Sequence, residues 1–281
     1  MPVTEIDRAS ARAAFRASAA SNDFATTADV AEVAEAAAGG VGKRDYVKHI
    51  FSEIAPRYDL LNHLLSFNID KRWRKRAIAE LGIPRAPAGK YLDLCTGTLD
   101  VAAQMTRANQ FRGFVLGADF AEPMLLAGRG KLARDVGAPV AADALQLPLR
   151  DAGFAGVIVA FGIRNVANLD AALRETLRVL APAARFVILE FSLPRMPLVR
   201  AVYQAYFNRV LPFFGRLVSG HPTAYSYLPK SVANFPVEEE LAARMRSAGF
   251  ANVRWMSLTL GVAAIHVGER VAAGAGRAAG P

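Results

Sequence analysis

From Tyr91 onward, short apolar runs recur along the chain with helical spacing between them. YLDLC (residues 91–95), FVLGAD (114–119), PVAAD (139–143), GVIVAF (156–161) and ARFVILEF (184–191) read as strands. Thr98 to Arg107, Glu122 to Val136 and Asp170 to Leu180 carry the period of amphipathic helices. Apolar strands joined by helices predict a parallel sheet covered on both faces. NVRWMSL (252–258) and VAAIHVG (262–268), separated around Gly261, predict a closing antiparallel hairpin. The expected fold is therefore α/β: a doubly wound, mostly parallel, seven-stranded sheet with a ligand crevice at the carboxyl ends of its strands.

The flanking segments read differently. Between Lys43 and Leu81, Val47, Ile50, Phe51 and Ile54 mark a helix, and Pro56 and the stretch from Asn62 to Asn68 break the pattern, which predicts a helical cap over 43–85. DKRWRKRAI (70–78) offers Asp70 as an N-cap and reads as a solvated basic face. PLVRAVYQAYFNRVLP is a helix opened by Pro197 and closed by Pro212, with a narrow polar stripe of Arg200, Gln204 and Asn208; such a helix is wedged into protein or laid on lipid. A helix from Val237 to Ala248 ends at Gly249. Residues 1–42 and 269–281 are rich in small residues and are expected to be disordered extensions without chemistry. That leaves one domain over 43–268: the cap, a cofactor-binding core over 90–192, acceptor- and membrane-facing helices over 193–250, and the final strands over 251–268.

Composition narrows the chemistry. The chain has 281 residues, 53% of them hydrophobic, and no run of about 20 uncharged apolar residues that would suggest a membrane span. The absence of a secretory signal pattern predicts a cytoplasmic location. Its net charge of +9 favours anionic partners without choosing among nucleic acid, lipid headgroups and phosphorylated small molecules. A single cysteine, Cys95, excludes an internal disulfide and a multi-cysteine metal site, and His49, His63, His221 and His266 show no ligand spacing, so no metal is expected.

Asp93 lies in the first strand, Gly97 and Thr98 in the turn after it, and Asp119 ends the second strand. An acid about 20 positions beyond a glycine turn is placed to accept hydrogen bonds from a ribose diol. A dinucleotide would need a repeated-glycine turn for its pyrophosphate, whereas S-adenosylmethionine has no phosphate and one glycine suffices. Asp143 and Ala144 end the third strand where an adenine amino group would lie, and three acids on three successive strands favour an adenosine site. AFGIRN (160–165) lacks the polar residue and two prolines common in methyltransferases that act on base amines, which counts against a nucleic-acid substrate. Arg164 and Asn165 would present a cation and an amide at the crevice, suited to an oxygen that becomes anionic. The competing reading pairs Arg164 with a carboxylate such as Glu190.

FSEIAPRYDLLNHLLSFNIDKRWRK, YLDLCTGTLD, FGIRNVANLDAALRETLRVLAP, ILEFSLP and YSYLPKSVANFP together resemble, in order, the quinone-biosynthesis C-methyltransferases, which act on demethylmenaquinol and, in related members, a ubiquinone precursor. The likeness spans about residues 45 to 268. It implies a Rossmann-like class I methyltransferase that moves a methyl group from S-adenosylmethionine to a ring carbon of a prenylated quinol. By motif position, Thr98, Asp119, Asp143, Ala144 and Ala160 would line the cofactor, and Tyr58, Arg164 and Asn165 would face the acceptor. Arg164 would stabilise a phenolate and Asn165 and Tyr58 would orient the ring, with water or an unidentified base taking the ring proton. Family members often have serine at the position of Ala160 and a glycine or another small residue at that of Leu99, and Cys95 with a non-glycine at 99 leans towards menaquinone. The prenyl tail matches the greasy helix, whose fringe of Arg195, Arg200, Arg209 and Arg216 suggests an anionic membrane; a homo-oligomer stays open as a further partner, since the sequence does not give the oligomeric state. Two other readings are a methyltransferase of another small phenol or of RNA, and a non-catalytic quinol-binding protein that lost its cofactor through Leu99 and Ala160.

Overall fold

The computed structural model describes residues 42–55, 66, 68–206 and 224–272. Seven strands among them form one sheet: β1 (Lys90–Leu94), β2 (Phe114–Asp119), β3 (Gly137–Ala141), β4 (Phe154–Ala160), β5 (Leu180–Phe191), β6 (Ala251–Leu258) and β7 (Ala263–Glu269). Their order is β3-β2-β1-β4-β5-β7-β6. The first five are parallel, and β7 runs antiparallel to both β5 and β6. The chain order reverses between β1 and β4, which opens a crevice at the carboxyl ends of those strands.

Alternate residues of each strand go to opposite faces, and both faces are apolar. On one, Tyr91, Val115, Ile158, Val187 and Ile265 pack with Trp73, Ala77 and Ile78 of α2 (Ile69–Glu80) and Val101, Ala102 and Met105 of α3 (Asp100–Thr106). On the other, Leu92, Leu94, Val157, Val159 and Phe186 meet Leu173 and Val179 of α5 (Leu169–Val179) and Leu241 and Met245 of α8 (Glu238–Ser247). A sheet covered on both sides needs continuous apolar strands, which is why these runs were readable. α1 (Lys43–Ile54) lies over the carboxyl edge of the sheet, against α4 (Glu122–Ala127), the 3₁₀ turn Ile163–Asn165 and α7 (Ala224–Asn234).

Several boundaries differ from expectation. The helix expected over 122–136 stops at Ala127, because Gly128 closes against the Thr98 carbonyl, where a Cβ would come within 2.5 Å, and Gly130 turns left-handed at φ +88°. Asp70 is not the N-cap of α2: Asn68 precedes the helix at φ 59°, and Asp70 lies inside the first turn, bonded to Ser66 and Arg74. β5 starts at Leu180 rather than Ala184, with a register shift against β4. α6 spans Pro197–Ala205, and the rest of the expected helix up to Pro212 lies outside the described residues, as do residues 1–41 and 273–281.

Leu99 holds the left-handed conformation, φ 65°, immediately before α3. Its side chain is buried in a hollow made by two glycines: a Cβ at Gly117 of β2 would lie 2.4 Å from Leu99 Cδ2, and one at Gly128 would lie 3.1 Å from Cδ1. The leucine thus packs into the core, with Val101 and Met105 in the same cluster. Leu99→Ala is expected to lower stability by about 2–5 kcal/mol in urea unfolding. Leu99→Gly should cost no more than the alanine variant, because glycine is at ease at this φ. Losses below about 0.5 kcal/mol in both would show that the packing is dispensable.

Candidate active site

The crevice holds a cavity with about 930 Å³ of space between atoms, part of it open to solvent. Its floor is the turn after β1 and the end of β2. Residues 142–145 form one side, residues 160–167 the other, and Arg44, Val47 and Phe51 of α1 the roof. The turn is held in an unusual shape: Cys95, Gly97 and Leu99 all have positive φ, at 53°, 58° and 65°. Two buried carboxylates pin it. Asp93 Oδ2 accepts from the Thr96 hydroxyl and, at 2.9 Å, from the Ala102 amide of α3. Asp119 Oδ2 accepts from the Gly97 amide at 2.8 Å, and its Oδ1 from Ala121 at 2.9 Å.

Of the residues singled out from sequence, Gly97, Thr98, Asp119, Asp143, Ala144, Ala160 and Asn165 line this one cavity. Asp93 sits behind it and shapes the turn without reaching the cavity wall. Tyr58 lies outside the described residues. Arg164 does not present a free cation to the crevice. Its Nη1 donates to Glu190 Oε2 at 2.9 Å and to the Phe161 carbonyl, and its guanidinium lies over the Phe191 ring at 5.5 Å. The competing reading, a pair with Glu190, is the arrangement found.

Residues missed from sequence complete the site. Arg44 of α1 bridges to Asp143 Oδ2 at 3.0 Å, joining the roof to the cavity side. Lys43, its neighbour, is buried and donates to the Arg164 carbonyl at 2.9 Å. Burial, then the nearby Arg164 charge, lowers its pKa to about 8. Asp100 lines the cavity between Arg74 Nη1 at 3.0 Å and Lys131 Nζ at 2.6 Å. Burial works to raise that carboxyl, but the bonds and charges of Lys131 and Arg74 prevail and lower it. Only Arg74 had a visible signal, its place four residues after Asp70. Its burial inverts the solvated reading of that helix at one position, while Lys71, Arg72, Lys75 and Arg76 are exposed. Phe161 lines the cavity, and behind it lie Phe191, with ring centroids 4.6 Å apart, and Trp73, 6.2 Å from Phe161. Among the described residues, no group of three or more His, Cys, Asp or Glu could hold a metal ion.

A seven-stranded sheet of this order with its cavity at the switch point is a doubly wound α/β fold that binds its ligand at the strand ends, and solved methyltransferases that use S-adenosylmethionine share it. A solved SAM-dependent methyltransferase from Thermotoga maritima shares the fold, with a TM-score of 0.55 and 19% identity, covering 79% of this chain and 98% of that one. The chain belongs to the ubiE/COQ5 methyltransferase family, whose model matches residues 40–270. The demethylmenaquinone methyltransferase of Thermus thermophilus is 53% identical over 224 residues, 79% of this chain and 100% of the relative. The ubiquinone/menaquinone biosynthesis C-methyltransferase UbiE of Geobacter sulfurreducens is 44% identical over 235 residues, 81% of this chain and 90% of the relative.

The residues present fit the cofactor. Asp119 accepts backbone bonds from Gly97, Phe120 and Ala121, and a carboxylate with about four acceptor sites keeps capacity for a hydroxyl donor. Arg74 Nε is buried without a hydrogen-bond partner among the described residues, as expected of a group that awaits a ligand. Leu99 does not reach the cavity wall, so the pocket is not closed by it.

Burial, opposed by the bonds from Thr96 and Ala102, pushes the Asp93 carboxyl up to about 7. A carboxyl whose folded pKa exceeds its unfolded one stabilises the fold in its protonated form. Its contribution is full below about pH 4 and is lost as pH rises to about 7. Asp93→Asn is expected to flatten that limb of the stability-versus-pH curve in urea unfolding; an unchanged slope would remove the assignment.

Proposed function

We propose that this protein carries out C-methylation of a prenylated quinol in menaquinone biosynthesis, converting demethylmenaquinol to menaquinol. The observation that carries the reading is the pairing of the family with a cavity side on which Asn165, 8% exposed, keeps a buried carbonyl oxygen without a partner among the described residues, with Phe161 lining the same side. A quinone ring is electron-poor, so the acceptor is the reduced quinol, whose phenol ionises near pH 10 when unperturbed. S-adenosylmethionine supplies an electrophilic methyl group. The chain must hold the ring carbon in line with it, draw the phenol towards phenolate and exclude water.

Asn165 orients the acceptor through a hydroxyl that donates to its Oδ1, and Phe161 offers the ring an aromatic contact. Arg164, occupied by Glu190, serves by fixing the turn that carries Asn165, whose amide donates to the Gly162 carbonyl at 3.0 Å. Arg164, Glu190 and Lys43 together leave one positive charge buried beside that turn, which favours an anionic oxygen at the acceptor. Tyr58 keeps its assignment to the acceptor by motif position.

Expression in a bacterium lacking the menaquinone methyltransferase, with quinones identified by mass spectrometry, is expected to restore methylated menaquinone. Continued accumulation of the demethylated form alone would sink the reading. With purified protein, Asn165→Leu should lower kcat/KM for the quinol by about 10²-fold while S-adenosylmethionine affinity stays within about twofold.

The tail of such a substrate resides in a bilayer, which favours peripheral association. Among the described residues no helix is long and apolar enough to cross a membrane. α6 instead turns Tyr203 inward and leaves Met196, Leu198 and Val202 exposed, Leu198 at 76%, and Leu260 is likewise exposed on the turn between β6 and β7. That turn packs against the segment leading into α6, since a Cβ at Gly261 would lie 3.3 Å from Pro194 Cα. Cofloatation with anionic liposomes at low salt is expected, and Leu198→Glu with Val202→Glu should abolish it. Protein that stays at the bottom of the gradient would count decisively against membrane docking.

A further inference from the structure

Two arginines reach the cavity among the described residues, and they differ in kind. Arg44 is mostly exposed and engages Asp143 on the adenosine side. Arg74 enters from α2 beside the turn, is 6% exposed, and belongs to the other end, with Thr98 and Asp100. Its Nη1 donates to Asp100 Oδ2 at 3.0 Å, and its Nη2 lies 3.3 Å from Asp70 Oδ2. The third donor, Nε, has no acceptor among the described residues. A buried guanidinium with an unused donor in a ligand cavity is a costly arrangement unless the ligand brings an acceptor.

The charges here are balanced before any ligand arrives. Arg74 and Lys131 face Asp70 and Asp100, and Lys131 also donates to the Thr98 hydroxyl at 3.1 Å, which ties the group to the turn. A net anion would upset that balance. A zwitterion would not, because its two charges can each find the opposite sign. S-adenosylmethionine carries such a zwitterion, an α-carboxylate beside an α-ammonium, at the end remote from the adenine. We propose that Arg74 and Asp100 bind this amino-acid end, Arg74 taking the carboxylate at its unused Nε and Asp100 the ammonium, so that the site selects a cofactor with an intact carboxylate. Asp100 suits the second role because Lys131 and Arg74 keep it ionised.

The discriminating probe is decarboxylated S-adenosylmethionine, which retains the ammonium and sulfonium but has no carboxylate. By calorimetry, the wild-type chain is expected to bind S-adenosylmethionine about tenfold or more tightly than the decarboxylated compound, the effect of one charge-assisted hydrogen bond. Arg74→Met should weaken the intact cofactor by a similar factor and leave the decarboxylated one within twofold. Arg74→Lys should keep part of the preference. Asp100→Asn should weaken both ligands alike, since both carry the ammonium. Equal weakening of both ligands by Arg74→Met would mean that Arg74 only braces the turn, and would overturn the proposal. Where Arg74→Met does not fold, the wild-type chain decides alone: a preference below threefold overturns the proposal, and a larger one sustains it.

Discussion

Everything in the site hangs on two buried carboxylates that hold one strained turn. Between Cys95 and Leu99 three residues adopt positive φ, two of them with side chains that disfavour it by about 1–2 kcal/mol each. The turn persists because Asp93 fastens Thr96 and the first turn of α3, while Asp119 fastens the Gly97 amide and the start of α4. The same two acids end or line adjacent strands, so the parallel register of β1 and β2 fixes the distance between them. Sheet, turn and both helices therefore form one rigid unit, and the cavity is the space this unit leaves at the strand ends.

The roof depends on a different interaction. Adjacent residues Lys43 and Arg44 bind opposite walls, one at the Arg164 carbonyl and the other at Asp143. α1 is thereby fastened to both sides of the cavity. The cost falls on Lys43, whose ammonium is desolvated and faces Arg164; Glu190 offsets one of the two cations and leaves the other in place. Buried charge of this kind contributes little to stability, and groups so perturbed cluster at functional sites.

The sheet was readable from sequence because a doubly covered strand must be apolar throughout, and that leaves a mark no neighbour can blur. Element ends were less readable. Ala127 ends a helix whose periodicity continues, because Gly128 must approach the Thr98 carbonyl, a contact that local pattern does not contain. The same limit governs the site. Asp119, Asp143 and Ala144 stand where topology alone puts strand ends, so their place in the crevice could be inferred. Arg164 could not be resolved between crevice and Glu190, since both readings satisfy the same local sequence and only the packing of β5 decides. Arg74 was hidden in a basic run of which most members are solvated; its partner Asp100 comes from another helix.

Leu99 shows how space and backbone conformation can be supplied separately. A glycine at that position would satisfy both demands at once: the left-handed φ and the absence of a side chain. Here the turn accepts the strain of a leucine, and the missing volume is moved to Gly117 on the neighbouring strand and Gly128 after α4, each without a Cβ where the leucine methyls lie. The side chain then adds apolar burial of about 1.5–3 kcal/mol, which exceeds the conformational penalty. A turn with one glycine is therefore not a degraded form of a glycine-rich turn. Its leucine keeps the left-handed backbone, with the space for the side chain supplied by Gly117 and Gly128 and the cavity side left clear.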